Sequence, residues 1–190
     1  MSEIGEPVLS LAFSGGFDST GMLIYALESL SGNIEVQTFN FNDTDEDKAG
    51  VEASKKIVEA LNEKFFGRII KHKFQNFDLA CSHTDHGQAV LMASVLPMAS
   101  WSNQVWMGYI RGDDIWHYKG ELMRIFNYSA SIVQRTNMSN LHFPSEWMTK
   151  TEIYKQFYSR HEDIHELVYF PEHKVESGEY DDIPKKRQVI

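Results

Sequence analysis

The chain has a single cysteine, Cys81, in 190 residues, so no disulfide can form within it and a four-thiolate zinc site is excluded. It has no run of about 18 uncharged apolar residues. Nor does its N-terminus show a basic start followed by an apolar core, so neither a membrane span nor a secretion signal is expected. A cytoplasmic location follows as the expectation. Basic residues are scarce: 18 Lys and Arg stand against 27 Asp and Glu, for a formal charge of −9. That balance disfavours a broad grip on a nucleic-acid backbone. The only basic run, Lys185-Lys186-Arg187, has the size of a solvated tail. No internal repeat, low-complexity stretch or linker breaks the chain. What remains is 42% hydrophobic and 13% aromatic, enough for one globular domain at this length.

Val8 to Phe13 is short, aliphatic and aromatic, as expected of a strand buried on both faces. It breaks into Ser14-Gly15-Gly16, where glycine permits backbone angles and close approaches that a side chain forbids. From Ser19 onward Met22, Leu23, Ala26, Leu27 and Leu30 recur at helical spacing. A strand, a glycine turn and a helix N-terminus form an anion site, because unpaired N–H groups and the positive end of the helix dipole point into the loop. The loop lacks the Lys-Ser/Thr ending of one common phosphate loop and the third glycine of the dinucleotide fingerprint.

Strand-like and helix-like pieces alternate after it. Ile34 to Phe41 reads as a second strand and Asn42 to Asp45 as a turn. Glu46 to Phe65 is an amphipathic helix with Val51, Ile57, Val58 and Leu61 as its apolar stripe. Arg68 to Phe74 is a third strand, followed by a polar segment from Gln75 to His86. Gln88 to Ser100 is a nearly all-apolar helix, expected to be buried on more than one side. Val105 to Ile110 is a strand ending in Arg111-Gly112-Asp113-Asp114. Glu121 to Arg135 is a helix with Leu122, Ile125, Phe126 and Ile132 on one side, and Leu141 to Pro144 is a last short strand. Thr149-Lys150-Thr151-Glu152 is a capping box that opens another helix. The alternation predicts a doubly wound, mostly parallel five-stranded α/β sheet with helices on both faces. Residues 1–170 are expected to form that domain and 171–190 a C-terminal extension. Ser14 to Ser19, Phe39 to Asn42, Gly108 to Asp114 and Pro144 to Lys150 should converge at the carboxyl ends of the strands, where such sheets bind ligands.

Ser14-Gly15-Gly16-Phe17-Asp18-Ser19-Thr20 resembles the pyrophosphate-binding (PP) loop of the N-type ATP pyrophosphatases, which split ATP between the α and β phosphates and activate a substrate as its adenylate. Together with Ala53-Ser54-Lys55-Lys56-Ile57, Gly108-Tyr109-Ile110-Arg111-Gly112-Asp113-Asp114 and Met148-Thr149-Lys150-Thr151-Glu152-Ile153, the order is similar to 7-cyano-7-deazaguanine synthase. That enzyme makes a nitrile from 7-carboxy-7-deazaguanine, ATP and ammonia on the route to queuosine. The likeness runs from about Leu9 to about Phe157. The chain departs from the family in lacking its four zinc cysteines, so zinc is not expected. In place of the family's Arg-Asn pair at one helix start stands Asp85-His86-Gly87-Gln88-Ala89. Reduced versions of the enzyme resemble those that bacteriophages encode.

The resemblance implies a role for each matching position. Ser14, Gly15, Gly16, Ser19 and Thr20 would cradle the β and γ phosphates of ATP, with Phe13 and Phe17 in the same cofactor-binding stretch. Asp18 would hold Mg²⁺, or else act as the helix N-cap. Ala12, Phe39, Asn40 and Phe41, with Gly108, would receive adenine and ribose, although Phe39 and Phe41 could equally be core. Lys150 would meet the α or β phosphate as a mobile cation, or be an ordinary first-turn lysine, a place the helix dipole disfavours. Arg111 would pair with the substrate carboxylate or lie on the surface. Gln88, Tyr109, Asp113 and Asp114 are substrate candidates, the two aspartates equally suiting a solvated turn. Catalysis would rest on Asp18, Lys150 and Arg111, with a 7-deazapurine carboxylate and ammonia as partners, a homodimer as an admissible assembly, and nucleic acid disfavoured. Two alternatives stay open: a PP-loop amide ligase or transfer-RNA base modifier acting on another substrate, and an ATP-binding module with weak turnover. Cys81-Ser82-His83-Thr84-Asp85-His86 brings thiolate and imidazole groups close together in sequence, yet its spacing matches no structural zinc pattern; a loop near the substrate is the expected role.

Overall fold

The structure is a computed structural model that describes residues 6–41, 44–79, 84–110, 113–135, 141–171, 175–176 and 178–184. Asn42, Asp43, Cys81, Ser82, His83, Arg111, Gly112 and Lys185 to Arg187, which carry expectations above, lie outside the described residues.

Five strands, β1 (Leu9–Phe13), β2 (Ile34–Phe41), β3 (Ile69–Phe77), β4 (Val105–Met107) and β5 (Leu141–His142), form one parallel sheet in the order β3-β2-β1-β4-β5. The central β1 is buried along its whole length, as its mostly apolar sequence predicts, with Ser10 its one polar residue. Leu9, Leu11 and Phe13 face a core built with α1 (Phe17–Ser29) and α2 (Asp45–Lys64). Ala12, Phe39, Phe41, Val105 and Met107 belong to a second core with α3 (Asp85–Ala99) and α4 (Lys119–Ile132). Helices therefore cover both faces. The chain ends with α5 (Lys150–Gln156), a 3₁₀ turn at Tyr158–Arg160 and the single-turn α6 (Glu162–His165) on the α1 side, where Ile153, Phe157, Tyr158 and Ile164 complete the first core.

Two strand boundaries depart from the sequence expectation, each for a reason of pairing, and one helix departs from it in burial. β3 continues through the polar Gln75 and Asn76 because β2 offers it partners as far as Phe41 opposite Phe77, and an edge strand can leave alternate side chains in water. β4 stops at Met107 instead of Ile110, since its partner β1 turns into the glycine loop just beyond that point. α3 buries Ala89, Ala93, Leu96 and Pro97 but leaves Val90 and Met98 exposed; it packs on the sheet and α4 as an outer layer, not on several sides.

One buried charge lies at the far end of the sheet from the strand carboxyl ends. The Glu35 carboxylate, fully enclosed, pairs with the Lys73 ammonium and accepts hydrogen bonds from Ser10 Oγ (2.6 Å) and the Trp101 amide (2.8 Å). Those partners meet the requirement that a buried charge be compensated, and they tie β2 to the α3–β4 connection.

Candidate functional site

The sheet order reverses at β1, whose crossovers lead to β2 on one side and eventually to β4 on the other. The crevice at the carboxyl ends of β1 and β4 is the place where this architecture binds ligands. Into it β1 delivers Ser14, Gly15 and Gly16. Gly15 has φ +76°, and a Cβ built on it would lie 2.6 Å from the Gly50 carbonyl oxygen and 2.8 Å from the Ser54 amide nitrogen. Its freedom is used to seat the loop against the backbone of α2. Gly108, just after β4, lies equally close to the first turn of α1: a Cβ there would be 2.9 Å from Ser19 Cα.

The hydroxyls of the loop serve the loop. Ser14 Oγ lies 3.0 Å from Ser19 Oγ and accepts from the Gly16 amide at 3.3 Å, while Ser19 Oγ accepts from the Ser14 amide at 3.3 Å. Helix α1 opens on Gly16 as N-cap, in extended conformation and with no side chain to cap the first-turn amides. An N-terminus capped by glycine leaves those donors for an anion. Asp18 is thus not the cap of α1; it lies in the first turn, its side chain about one-fifth exposed.

Its partner comes from 132 residues away: Lys150 Nζ lies 2.8 Å from Asp18 Oδ2. The capping box holds α5 so that its first residue reaches the loop, with Thr149 Oγ1 accepting from the Glu152 amide (3.2 Å) and Glu152 Oε2 accepting from the Thr149 amide (2.8 Å). Ser145, fully buried, donates to the Tyr109 carbonyl at 3.2 Å and so joins the segment before α5 to the one after β4. Lys150 Nζ is also 2.9 Å from Glu179 Oε1 and 4.9 Å from the centroid of the Tyr180 ring. Burial pulls the ammonium towards neutrality, but the Asp18 charge, with Tyr180 and the hydrogen bonds to Asp18 and Glu179, outweighs it and raises its pKa above the usual lysine range. Lys150 is a fixed cation at the mouth of the loop.

Beside it opens a cleft of about 290 Å³, lined by Ile110, Asp113, Thr149, Lys150, Glu179 and Asp182, among others. Asp113 Oδ2 accepts from the Ile110 amide at 2.9 Å and fixes the turn after β4. Tyr109 is nearby: burial, then the Asp113 and Asp85 carboxylates, push its phenol well above the ordinary tyrosine range, keeping it a neutral hydroxyl. Asp114 is exposed and begins a 3₁₀ turn, and Gln88 lies in the first turn of α3.

The structure therefore brings together Ser14, Gly15, Gly16, Asp18, Ser19, Gly108 and Lys150, with Asp113 across the cleft. It places the side chains of Ala12, Phe13, Phe17 and Thr20 in the interior, where only their backbone can face a ligand. Phe39 and Phe41 are core: they stack on one another at 6.2 Å and on Phe77 at 6.2 and 5.9 Å. Asn40, at the rim of β2, donates to Asn76 Oδ1 at 3.1 Å. Sequence reasoning did not find Glu179, Tyr180 or Tyr169. The Tyr169 amide donates to the Gly15 carbonyl at 3.0 Å and makes a parallel bridge with Gly16. Glu179 and Tyr180 lie in a polar, aperiodic stretch and Tyr169 in a four-residue apolar run too short to show a period, so no sequence pattern signals these contacts. Tyr158 was also missed; its hydroxyl donates to the Phe17 carbonyl at 2.5 Å and pins the start of α1.

These residues fit a nucleotide phosphate with Mg²⁺. The open amides of α1 and the Lys150 ammonium suit the anion. Mg²⁺ at phosphate sites takes one or two protein carboxylates and completes its shell with phosphate and water oxygens, so Asp18 alone suffices. Among the described residues no group of three or more His, Cys, Asp or Glu side chains is arranged to cage a metal.

No protein-family model matches the sequence, and no curated protein matches it either. Solved structures do. The chain superposes on a U34-tRNA thiolase, NcsA from Methanococcus maripaludis with its [4Fe-4S] cluster, at a TM-score of 0.53 and 15% identity, over 94% of this chain and 66% of that one. It superposes on a predicted subunit of tRNA methyltransferase from Methanocaldococcus jannaschii at a TM-score of 0.51 and 15% identity, over 95% of this chain and 93% of that one. The chain has an adenine nucleotide α-hydrolase-like fold. At this identity the likeness speaks to architecture, and the site above stands on its own residues. No helix among the described residues is long and apolar enough to cross a membrane.

Proposed function

We propose that this chain is an ATP-dependent, AMP-forming synthase that activates the carboxylate of a 7-deazapurine, 7-carboxy-7-deazaguanine, and passes it to ammonia. The observation that carries the reading is the Asp18–Lys150 pair at the glycine-capped start of α1. It places a cation and a carboxylate beside open helix amides, a set suited to holding a triphosphate tail as leaving group. With the tail held by residues 14–20, the α phosphorus is left open to a carboxylate oxygen. That oxygen displaces pyrophosphate and forms the acyl adenylate. Ammonia then adds to the carbonyl carbon and expels AMP, giving the amide; a second ATP adenylates the amide oxygen with release of pyrophosphate, and departure of AMP with loss of the two amide protons gives the nitrile. Lys150 neutralises charge that grows as pyrophosphate departs, and Asp18 is the residue to hold Mg²⁺, which supplies further neutralisation when bound. Asp113, which lines the cleft, is the residue we assign to substrate.

A second reading, activation of a base within transfer RNA, draws support from the names of both structural neighbours and runs against the −9 charge. Single-turnover chromatography decides. AMP and pyrophosphate with 7-carboxy-7-deazaguanine and ammonia are the expected products. The same products only when transfer RNA is supplied would establish the second reading, and ADP with inorganic phosphate would overturn both.

A further inference from the structure

Lys150 has two carboxylates on it, and only one belongs to the loop. The other, Glu179, comes from residues 178–184, a short run of turns laid across the mouth of the site. Gly178 starts it at φ +77°, with its amide on the Val175 carbonyl; Asp181 and Ile183 then donate back to Gly178 and Tyr180 at 3.2 and 3.1 Å. Two apolar anchors hold it down. Ile183 is buried in the α1-side core, and the Tyr180 ring packs edge-on against Phe170 at 4.9 Å and lies 6.0 Å from Phe17, the residue preceding Asp18. Tyr180 also covers the ammonium itself, and Lys150 keeps only about one-eighth of its side-chain surface exposed. The cation assigned to phosphate is thus enclosed by one carboxylate from α1 and one from the C-terminal segment.

We infer that residues 178–184 are a strap that parks Lys150, and that a polyphosphate must displace the Glu179 carboxylate from the ammonium to occupy the site. This rests on the reading of Lys150 as the phosphate-facing cation. The physical case is competition between like charges for one partner. Glu179 Oε1, at 2.9 Å, stands where a phosphate oxygen would be received, and two anions cannot share that position without repulsion. Unlike Asp18, which lies within the loop and would itself approach a metal, Glu179 has no place in the phosphate cradle. Its role is positioning: it keeps the lysine in place until an anion of greater charge arrives. The apparent affinity for nucleotide is lowered by the fraction of molecules in the strapped state, and removing the carboxylate removes that reduction.

The test compares the full chain with Glu179→Gln, a substitution of equal shape at a partly exposed position that leaves the Ile183 and Tyr180 anchors intact. Two measurements are made. Amide hydrogen exchange of 178–184 without ligand should quicken in the variant, and the dissociation constant for inorganic triphosphate, read by calorimetry, should fall by about threefold or more, the scale of a partly exposed ion pair. Addition of triphosphate to the wild-type chain should quicken exchange in the same segment. Unchanged exchange in the variant would show that the ion pair does not hold the strap. Faster exchange with unchanged or weaker triphosphate binding would overturn the competition while leaving the phosphate-site reading intact. Faster exchange with no triphosphate bound by either protein would overturn the phosphate site and the competition together.

Discussion

Replacing Gly15 with alanine tests the packing of the loop against α2, and the chain carries its own control. Two costs meet at Gly15. At φ +76° an L-residue sits in the left-handed region, at about 1–2 kcal/mol. The new methyl would also stand 2.6 Å from the Gly50 carbonyl oxygen and 2.8 Å from the Ser54 amide nitrogen. Both are backbone atoms of α2, so no side-chain rotation relieves the clash. Forcing such a methylene-sized group into a packed site costs about 1–3 kcal/mol more. Gly67 has the same φ of +76° with nothing within 4 Å of its built Cβ. Gly67→Ala therefore carries the backbone cost alone, and the entropy that alanine removes from the unfolded chain is common to both and cancels. Urea unfolding should show Gly15→Ala less stable than Gly67→Ala by about 1–3 kcal/mol. A difference under about 0.5 kcal/mol would mean that the loop does not rest on α2, and the geometry of the phosphate site would fall with it.

The remaining predictions concern the charged pair and a half-buried imidazole. Asp18→Asn should keep the unfolding midpoint close to wild type and lower Mg·ATP-dependent turnover by about a hundredfold or more, the scale of one key electrostatic contact; unchanged turnover would remove Asp18 from the chemistry. Lys150→Ala should lower kcat more than it raises KM for ATP, since its charge is matched to the departing pyrophosphate; a change confined to KM would make it a binding group only. Burial, with a smaller contribution from the Lys55 ammonium, holds the His72 imidazole down to about 4 from the usual 6.5. Below pH 6.5 the unfolded chain takes up a proton that the folded chain refuses until about pH 4, so stability falls as pH drops through that window. The ring is partly exposed, which reduces the loss to about 1–2 kcal/mol. Denaturation at pH 7 and pH 4.5 should show a shallower fall in His72→Gln, and equal slopes would refute the assignment.

Local pattern determined much of this protein. The short, mostly apolar Leu9 to Phe13 reads as a strand covered on both faces, and Ser14-Gly15-Gly16 before a helical stripe as a tight turn into a helix. The Thr149 to Glu152 capping box is present as read, because a cap involves neighbours three residues apart. Alternation of strands and helices sufficed for a parallel sheet covered on both faces. Periodicity reports which side of an element is buried, not what buries it, and there the sequence stopped. It left open whether Phe39 and Phe41 meet adenine or core; stacking with Phe77, brought alongside by the β2–β3 pairing, places them in the core. It left Asp18 between cap and ligand, and the structure gives the cap to Gly16 and the carboxylate to Lys150. A contact across 132 residues has no local signature. The strap is the extreme case: Glu179, Tyr180 and Ile183 follow no period, and only the tertiary fold sets one carboxylate of the C-terminal segment against the cation that opens α5.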